Sequence, residues 1–217
     1  MNETLAASLP LLWMSARALG IVAWLAASAT VIMGLGIRSR IFSDLFNGRT
    51  TTLVHRTLSM TTLLLVLAHV LTLLPDPYAH LRWYDLFIPG LASHSRIPTD
   101  LGSLAFLLLV GVGAAAFFRS RLSARSWSVV HVLAYAVWPL ATAHYILMGT
   151  DVMRSWSLIV LFSVSALVVL TVMRRGQLAP RQRRFAALQR LTDGLQRYGR
   201  IGRQMPPGIG REGIDPL

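Results

Sequence analysis

The stretch 53–74, LVHRTLSMTTLLLVLAHVLTLL, decides how the whole chain is read. It is apolar over the length needed to cross a bilayer, since about 20 helical residues span about 30 Å of hydrocarbon. Yet it carries Arg56 and two imidazoles, His55 and His69, fourteen residues apart. Ionisable side chains are costly inside a membrane and mark function where they occur. At about 1.5 Å rise per residue the two rings lie about 21 Å apart along one helix, within about 40° of the same face.

The rest of the chain has the same solvent. Of its 217 residues 54% are hydrophobic and only 14% charged, with mean hydropathy +0.55, against about 25% charged in soluble domains. Spans are expected at 12–37, 53–74, 101–118, 127–148 and 156–173. The fold class is therefore an all-α integral membrane protein, a five-span helical bundle, because helices satisfy their own backbone in lipid. No internal repeat is visible. The N-terminus, Met-Asn-Glu, lacks a basic n-region, so no secretory signal is expected. The net charge is +12 and every basic residue is Arg. The arginines sit beside apolar runs, which favours a lipid surface over nucleic acid as their partner. No cysteine is present, which excludes disulfides, zinc–thiolate sites, iron–sulfur clusters and covalent c-type haem.

The connections alternate in charge. Arg38, Arg40 and Arg49 face a single Asp44 in 38–52, and Arg119, Arg121 and Arg125 stand without an acid in 119–125. The stretch 75–100 mixes Arg82 and Arg96 with Asp76, Asp85 and Asp100, and 149–155 holds Asp151 and Arg154. Positive charge inside then puts the N-terminus outside and the C-terminus in the cytoplasm of a multi-pass cell-membrane protein. The expected organisation is an extracytoplasmic segment 1–11, a membrane domain 12–175, a basic amphipathic surface helix 176–198 and a disordered tail 199–217. In the third of these, Phe185, Leu188, Leu191 and Leu195 recur at helical steps among Arg181, Arg183, Arg184, Arg190 and Arg197, the pattern of a helix lying on anionic lipid. The Tyr- and Trp-bearing stretch 75–100 is expected at the membrane interface, with a short helix.

The fourth span, WSVVHVLAYAVWPLATAHYILM, carries its own pair, His131 and His144. Spans two and four run in the same direction, so four imidazoles form two levels, one ring from each helix at each level. Thirteen residues leave His144 about 140° from His131 on an ideal helix, and Pro139 between them removes a backbone donor and can re-aim the second ring. Paired imidazoles at two depths suit the two axial positions of two stacked b-type haems. Hydrogen-bonded packing histidines, a zinc site and a proton relay are the other readings. No carboxylate lies in these spans to serve zinc or a relay, and the two levels are too far apart to share one metal. Arginines would answer haem propionates: Arg56 and Arg125, with Arg119 and Arg121, at the inner level, and Arg17, with Arg82, Arg96 and Arg154, at the outer. Each is also readable as an ordinary interfacial anchor. Tyr135, Trp138 and Tyr145 are candidates to line the haems, or plain packing. His80 and His94, in the outer stretch, stay outside the set.

HRTL at 55–58, His69, SWSVVHVLAY at 126–135, HYILMGTD at 144–151 and WMSARALGIVAWL at 13–25 together resemble the ferric reductase-like transmembrane domain superfamily. That group includes the membrane parts of NADPH oxidases and ferric reductases and the haem subunit of the periplasmic methionine sulfoxide reductase system. The resemblance covers about residues 12–175. It implies two haem b groups, an inner one on His55 and His131 and an outer one on His69 and His144. The flavin and nicotinamide domains of the oxidases have no counterpart: residues 174–217 are too short a stretch for one, and no G-x-G-x-x-G precedes a helix. The expected function is transmembrane electron transfer, from a cytoplasmic flavoprotein or membrane quinol to an extracytoplasmic acceptor protein or ferric iron. FMN, FAD or quinone would come from the partner or the bilayer. A stand-alone ferric-chelate reductase and a haem-free structural or transport protein are the alternatives.

Overall fold

The computed structural model describes the backbone of residues 3–39, 47–92 and 95–204, and the side chains of 11–37, 47–92, 95–173, 188–189 and 191–196. Its elements are α1 (Glu3–Ser39), α2 (Gly48–Leu73), α3 (Arg96–Phe117), α4 (Ala124–Met148) and α5 (Ser155–Gln204), with single 3₁₀ turns at Trp83–Leu86 and Arg119–Arg121. Among the described residues there is no strand. Five stretches are long and apolar enough to cross a membrane: Leu11–Ile37, Gly48–Leu73, Arg96–Phe117, Ala124–Met148 and Ser155–Met173. Large apolar residues such as Leu64, Leu71, Val129, Ile159 and Phe162 stand exposed on them. Water would penalise that surface, whereas hydrocarbon accepts it.

Helix starts lie earlier than the hydropathy pattern predicts: α1 opens at Glu3 instead of 12 and α4 at Ala124 instead of 127, and two further starts have a visible cause. α2 opens at Gly48 instead of 53, because Asn47 caps it by accepting the Thr50 N–H at 2.8 Å; capping outweighs the polar Thr50–Thr52 run. α3 opens at Arg96 instead of 101. Pro98 falls in its first turn, where no backbone N–H has an intrahelical partner to lose.

The chain divides into two compact units, Met1–Val172 and Met173–Leu217. In the first, α1 packs along α2 and α3 along α4, and α1 against α4 joins the two pairs. Small residues let the helices approach: Ala16, Ala23, Ala27, Ser28, Ser103 and Ala105 are buried, as expected where packing replaces the hydrophobic effect. The junction of α1 and α4 is a reciprocal clasp. Trp24 Nε1 donates to Thr142 Oγ at 2.9 Å and Trp138 Nε1 to Ser28 Oγ at 2.8 Å. Each hydroxyl then donates to the backbone carbonyl of the indole residue on its own helix, Ser28 to Trp24 and Thr142 to Trp138, both at 2.8 Å. Val152 and Leu161 complete a small core around Trp24, with Leu158 and Val164 of α5 against it.

Between α2 and α3, the 3₁₀ turn Trp83–Leu86 is the short helix expected there. Asp85 within it is almost fully buried; it accepts the Arg82 N–H at 2.9 Å, and its carbonyl accepts Ser103 Oγ at 2.9 Å, which ties the connection to α3.

In the second unit the described backbone is helical to Gln204, and Leu188, Leu191 and Leu195 are exposed. The expected arginine face of this stretch, the side chains of 1–10, the basic residues Arg38 and Arg40 with Asp44, and the tail from 205 onward lie outside the described residues.

Thr142→Val strands the Trp24 indole N–H. It is expected to cost about 0.6–2 kcal/mol, the range of interhelical hydrogen bonds in membranes, measured by unfolding in mixed micelles; Trp138→Ala is expected to cost more, because the packing of a large, partly buried ring is lost as well.

Candidate functional site

The four span histidines meet in the two levels that the sequence predicts. At the level remote from the 75–100 connection, the His55 ring of α2 faces the His131 ring of α4, with centroids 6.2 Å apart and planes at 82°. At the level beside that connection, His69 and His144 line one cavity of about 390 Å³. Pro139 lies inside an α4 that runs unbroken from Ala124 to Met148, and His131 faces His55 while His144 shares a cavity with His69, although thirteen residues is not a whole number of turns.

Three of the four rings are held by one repeated device. His69 Nδ1 donates to the Ala16 carbonyl at 2.7 Å, His55 Nδ1 to Thr30 at 3.1 Å and His144 Nδ1 to Pro98 at 2.7 Å. A carbonyl oxygen only accepts, so in the neutral ring the proton sits on Nδ1 and the Nε2 lone pair is left free. One turn after each carbonyl stands a glycine. A Cβ on Gly20 would lie 3.1 Å from His69 Cε1, on Gly34 3.0 Å from His55 Cε1, and on Gly102 2.7 Å from His144 Nδ1. The missing side chain is what lets each imidazole reach a backbone carbonyl on a neighbouring helix. The spacing on α1 copies that on α2: Ala16 to Thr30 and Gly20 to Gly34 are each fourteen residues, as is His55 to His69.

His131 is different. Its Nδ1 is buried without a hydrogen-bond partner, and its ring stacks on Trp127 at 4.8 Å and 26°.

These residues fit haem. Neutral imidazoles with Nδ1 tied back and Nε2 free are the form that ligates iron, and second-shell hydrogen bonds of this kind fix ring orientation and raise ligand basicity. Two imidazoles sharing one metal at about 2 Å each would have centroids about 6 Å apart, which the His55–His131 separation matches. Among the described residues no group of three or more His, Cys, Asp or Glu is placed to hold a bare metal ion.

Of the candidate arginines, Arg17 lies on the cavity wall, ion-paired with Asp151. Asp151 is buried and also pairs with Arg154 at 3.1 Å. Arg82 pairs with Asp85 at 3.5 Å and Arg96 with Asp100 at 3.9 Å. Arg56 and Arg125 are exposed at the other level, the first beside His55 in sequence and the second near the start of α4. Arg119 and Arg121 lie over the Trp127 and Phe118 rings. Trp138 belongs to the clasp. Tyr145 lines the cavity, stacks on Trp24 at 5.5 Å and shares a 2.6 Å hydrogen bond with Ser157. His80 lies with Asp76 and Arg82 on a separate recess, and His94 lies outside the described residues. The three glycines, the three carbonyls and Asp151 are the site residues that the histidine pattern did not name. For Ala16, Thr30, Gly20 and Gly34 the signal was a fourteen-residue repeat along α1; Pro98, Gly102 and Asp151 lie outside it.

Residues 19–142, more than half of the chain, match the family described as "Ferric reductase like transmembrane component". No curated protein and no solved structure matches the chain.

Gly102→Ala drives a methyl into His144 and, on the haem reading, is expected to weaken haem retention about 10-fold or more, the usual scale for a lost second-shell support. The haem-to-protein ratio after dilution reads it. Gly111→Ala, whose Cβ would meet nothing within 4 Å, is expected to leave that ratio unchanged.

Proposed function

Because the chain belongs to the ferric reductase-like transmembrane family, we propose that it moves single electrons across the membrane, with His55 and His131 holding one b-type haem and His69 and His144 a second. Haem, when bound, supplies a reversible one-electron couple at its iron. The observation that carries the reading is the pairing of α2 and α4 imidazoles at two levels, His55 facing His131 and His69 sharing a cavity with His144, three of the four with Nδ1 bonded to a carbonyl one turn from a glycine.

The chain's own residues set the conditions of transfer. Ala16, Thr30 and Pro98 orient the rings through their carbonyls, so little reorientation is needed when charge changes. The walls that α1 to α4 give the His69–His144 cavity are mostly apolar. Arg17 on that wall, steadied by Asp151, offers positive charge to propionates, and Arg56 and Arg125 do so at the other level. The charge asymmetry of the connections supports an N-terminus outside and a C-terminus in the cytoplasm. The His55–His131 level is then the inner one, supplied by a cytoplasmic flavoprotein or a membrane quinol. The His69–His144 level lies next to residues 75–100, and Tyr78, Leu81 and Leu86 of that connection also line its cavity. This connection is the surface offered to an extracytoplasmic acceptor, protein or ferric iron. Residues 176–198 are proposed to lie as a basic helix on the anionic inner leaflet.

Purified protein is expected to contain two haems per chain by pyridine haemochrome and to show Soret and α-band changes on reduction. His69→Ala or His144→Ala should each remove one haem and spare the other, and His55→Ala should remove the complementary one. Absence of haem from the wild type would leave the haem-free reading. Reoxidation of reduced vesicles by ferric chelate without a partner would favour the stand-alone reductase.

A further inference from the structure

The fourth ligand lacks the brace that the other three share. On α3, Pro98 and Gly102 serve His144; thirteen residues further on, matching the step from His144 back to His131, stand Gly111 and Ala115. Ala115 carries a Cβ where the other three braces have none, and His131 Nδ1 bonds to nothing. The ring is held by stacking instead. Trp127, one turn before His131 on the same helix, lies nearly parallel to the imidazole at 4.8 Å. The Arg119 guanidinium covers the indole, 5.3 Å from its centroid. The Trp127 indole thus carries both the Arg119 guanidinium and the His131 imidazole against its ring.

A stack and a hydrogen bond restrain different motions. Stacking fixes the plane of the ring, but it neither pins rotation within that plane nor chooses the protonated nitrogen. A hydrogen bond at Nδ1 does both. We propose that Trp127 is the positioning residue of His131, so that this ligand alone depends on an aromatic neighbour and becomes exchangeable when the neighbour is removed. The proposal rests on the two-haem reading above.

The test uses the full chain, purified in detergent, reduced with dithionite and exposed to carbon monoxide. Exchange of an imidazole for carbon monoxide trades one neutral two-electron donor for another and alters no oxidation state. Wild type and Trp127→Phe, which keeps a stacking ring, are expected to hold two haems that take up no carbon monoxide. Trp127→Ala is expected either to bind it at about half of its haem or to retain one haem instead of two, with the other haem's spectrum unchanged. Two inert haems in Trp127→Ala, failure of Trp127→Phe to restore the wild-type state, or equal loss of both haems would overturn the assignment. A wild type without haem would overturn the two-haem reading itself, before any variant is made.

Discussion

An imidazole placed in hydrocarbon has two nitrogens to account for, and a ligand must use them differently. One has to give its proton to an acceptor; the other has to keep its lone pair. Backbone carbonyls in a helix are already committed to the N–H four residues on, but each has a second lone pair. Ala16, Thr30 and Pro98 use that spare capacity for His69, His55 and His144. The approach is possible only where the neighbouring helix has no Cβ in the way, hence Gly20, Gly34 and Gly102. Helix pairing follows from this demand: α1 must lie along α2, and α3 along α4, close enough for ring and carbonyl to meet.

The clasp at the junction of α1 and α4 solves the same problem for a different group. An indole N–H is a donor that hydrocarbon cannot satisfy. Trp24 and Trp138 use hydroxyls on each other's helix, while those hydroxyls pass their own protons to carbonyls at home. Every donor is thus used, and the two helix pairs are held together between the histidine levels. Interhelical hydrogen bonds in membranes are individually modest, so the clasp contributes as much by fixing register as by adding stability.

Charge is arranged differently at the two ends. Around the 75–100 connection Arg17, Arg82, Arg96 and Arg154 all have carboxylate partners, with the buried Asp85 and Asp151 at the centre of two of those clusters. At the other end Arg119 and Arg121 lie over aromatic rings. Paired arginines present little net field, whereas arginines without acids attract anionic lipid and anionic partners. Among the described residues, the arginines near the 75–100 connection are thus acid-paired, while Arg119 and Arg121 lie against aromatic rings.

Composition and hydropathy determined the solvent, and with it the secondary structure: five apolar runs leave the backbone no alternative to helix in lipid. The matched histidine spacings determined that spans two and four carry rings at two depths, because rise per residue is a property of the helix alone. Helix starts were less legible, since a cap such as Asn47 or a proline in a first turn acts through backbone groups that hydropathy does not register. What only the tertiary structure decided was which neighbour completes each histidine. That depends on the register between helices, and register is settled by small-residue packing and by carbonyls, which are the same atoms in every residue and leave no mark in a sequence beyond the absence of a side chain. His131 is the exception: its Nδ1 meets no acceptor among the described residues, and its ring lies on an aromatic stack.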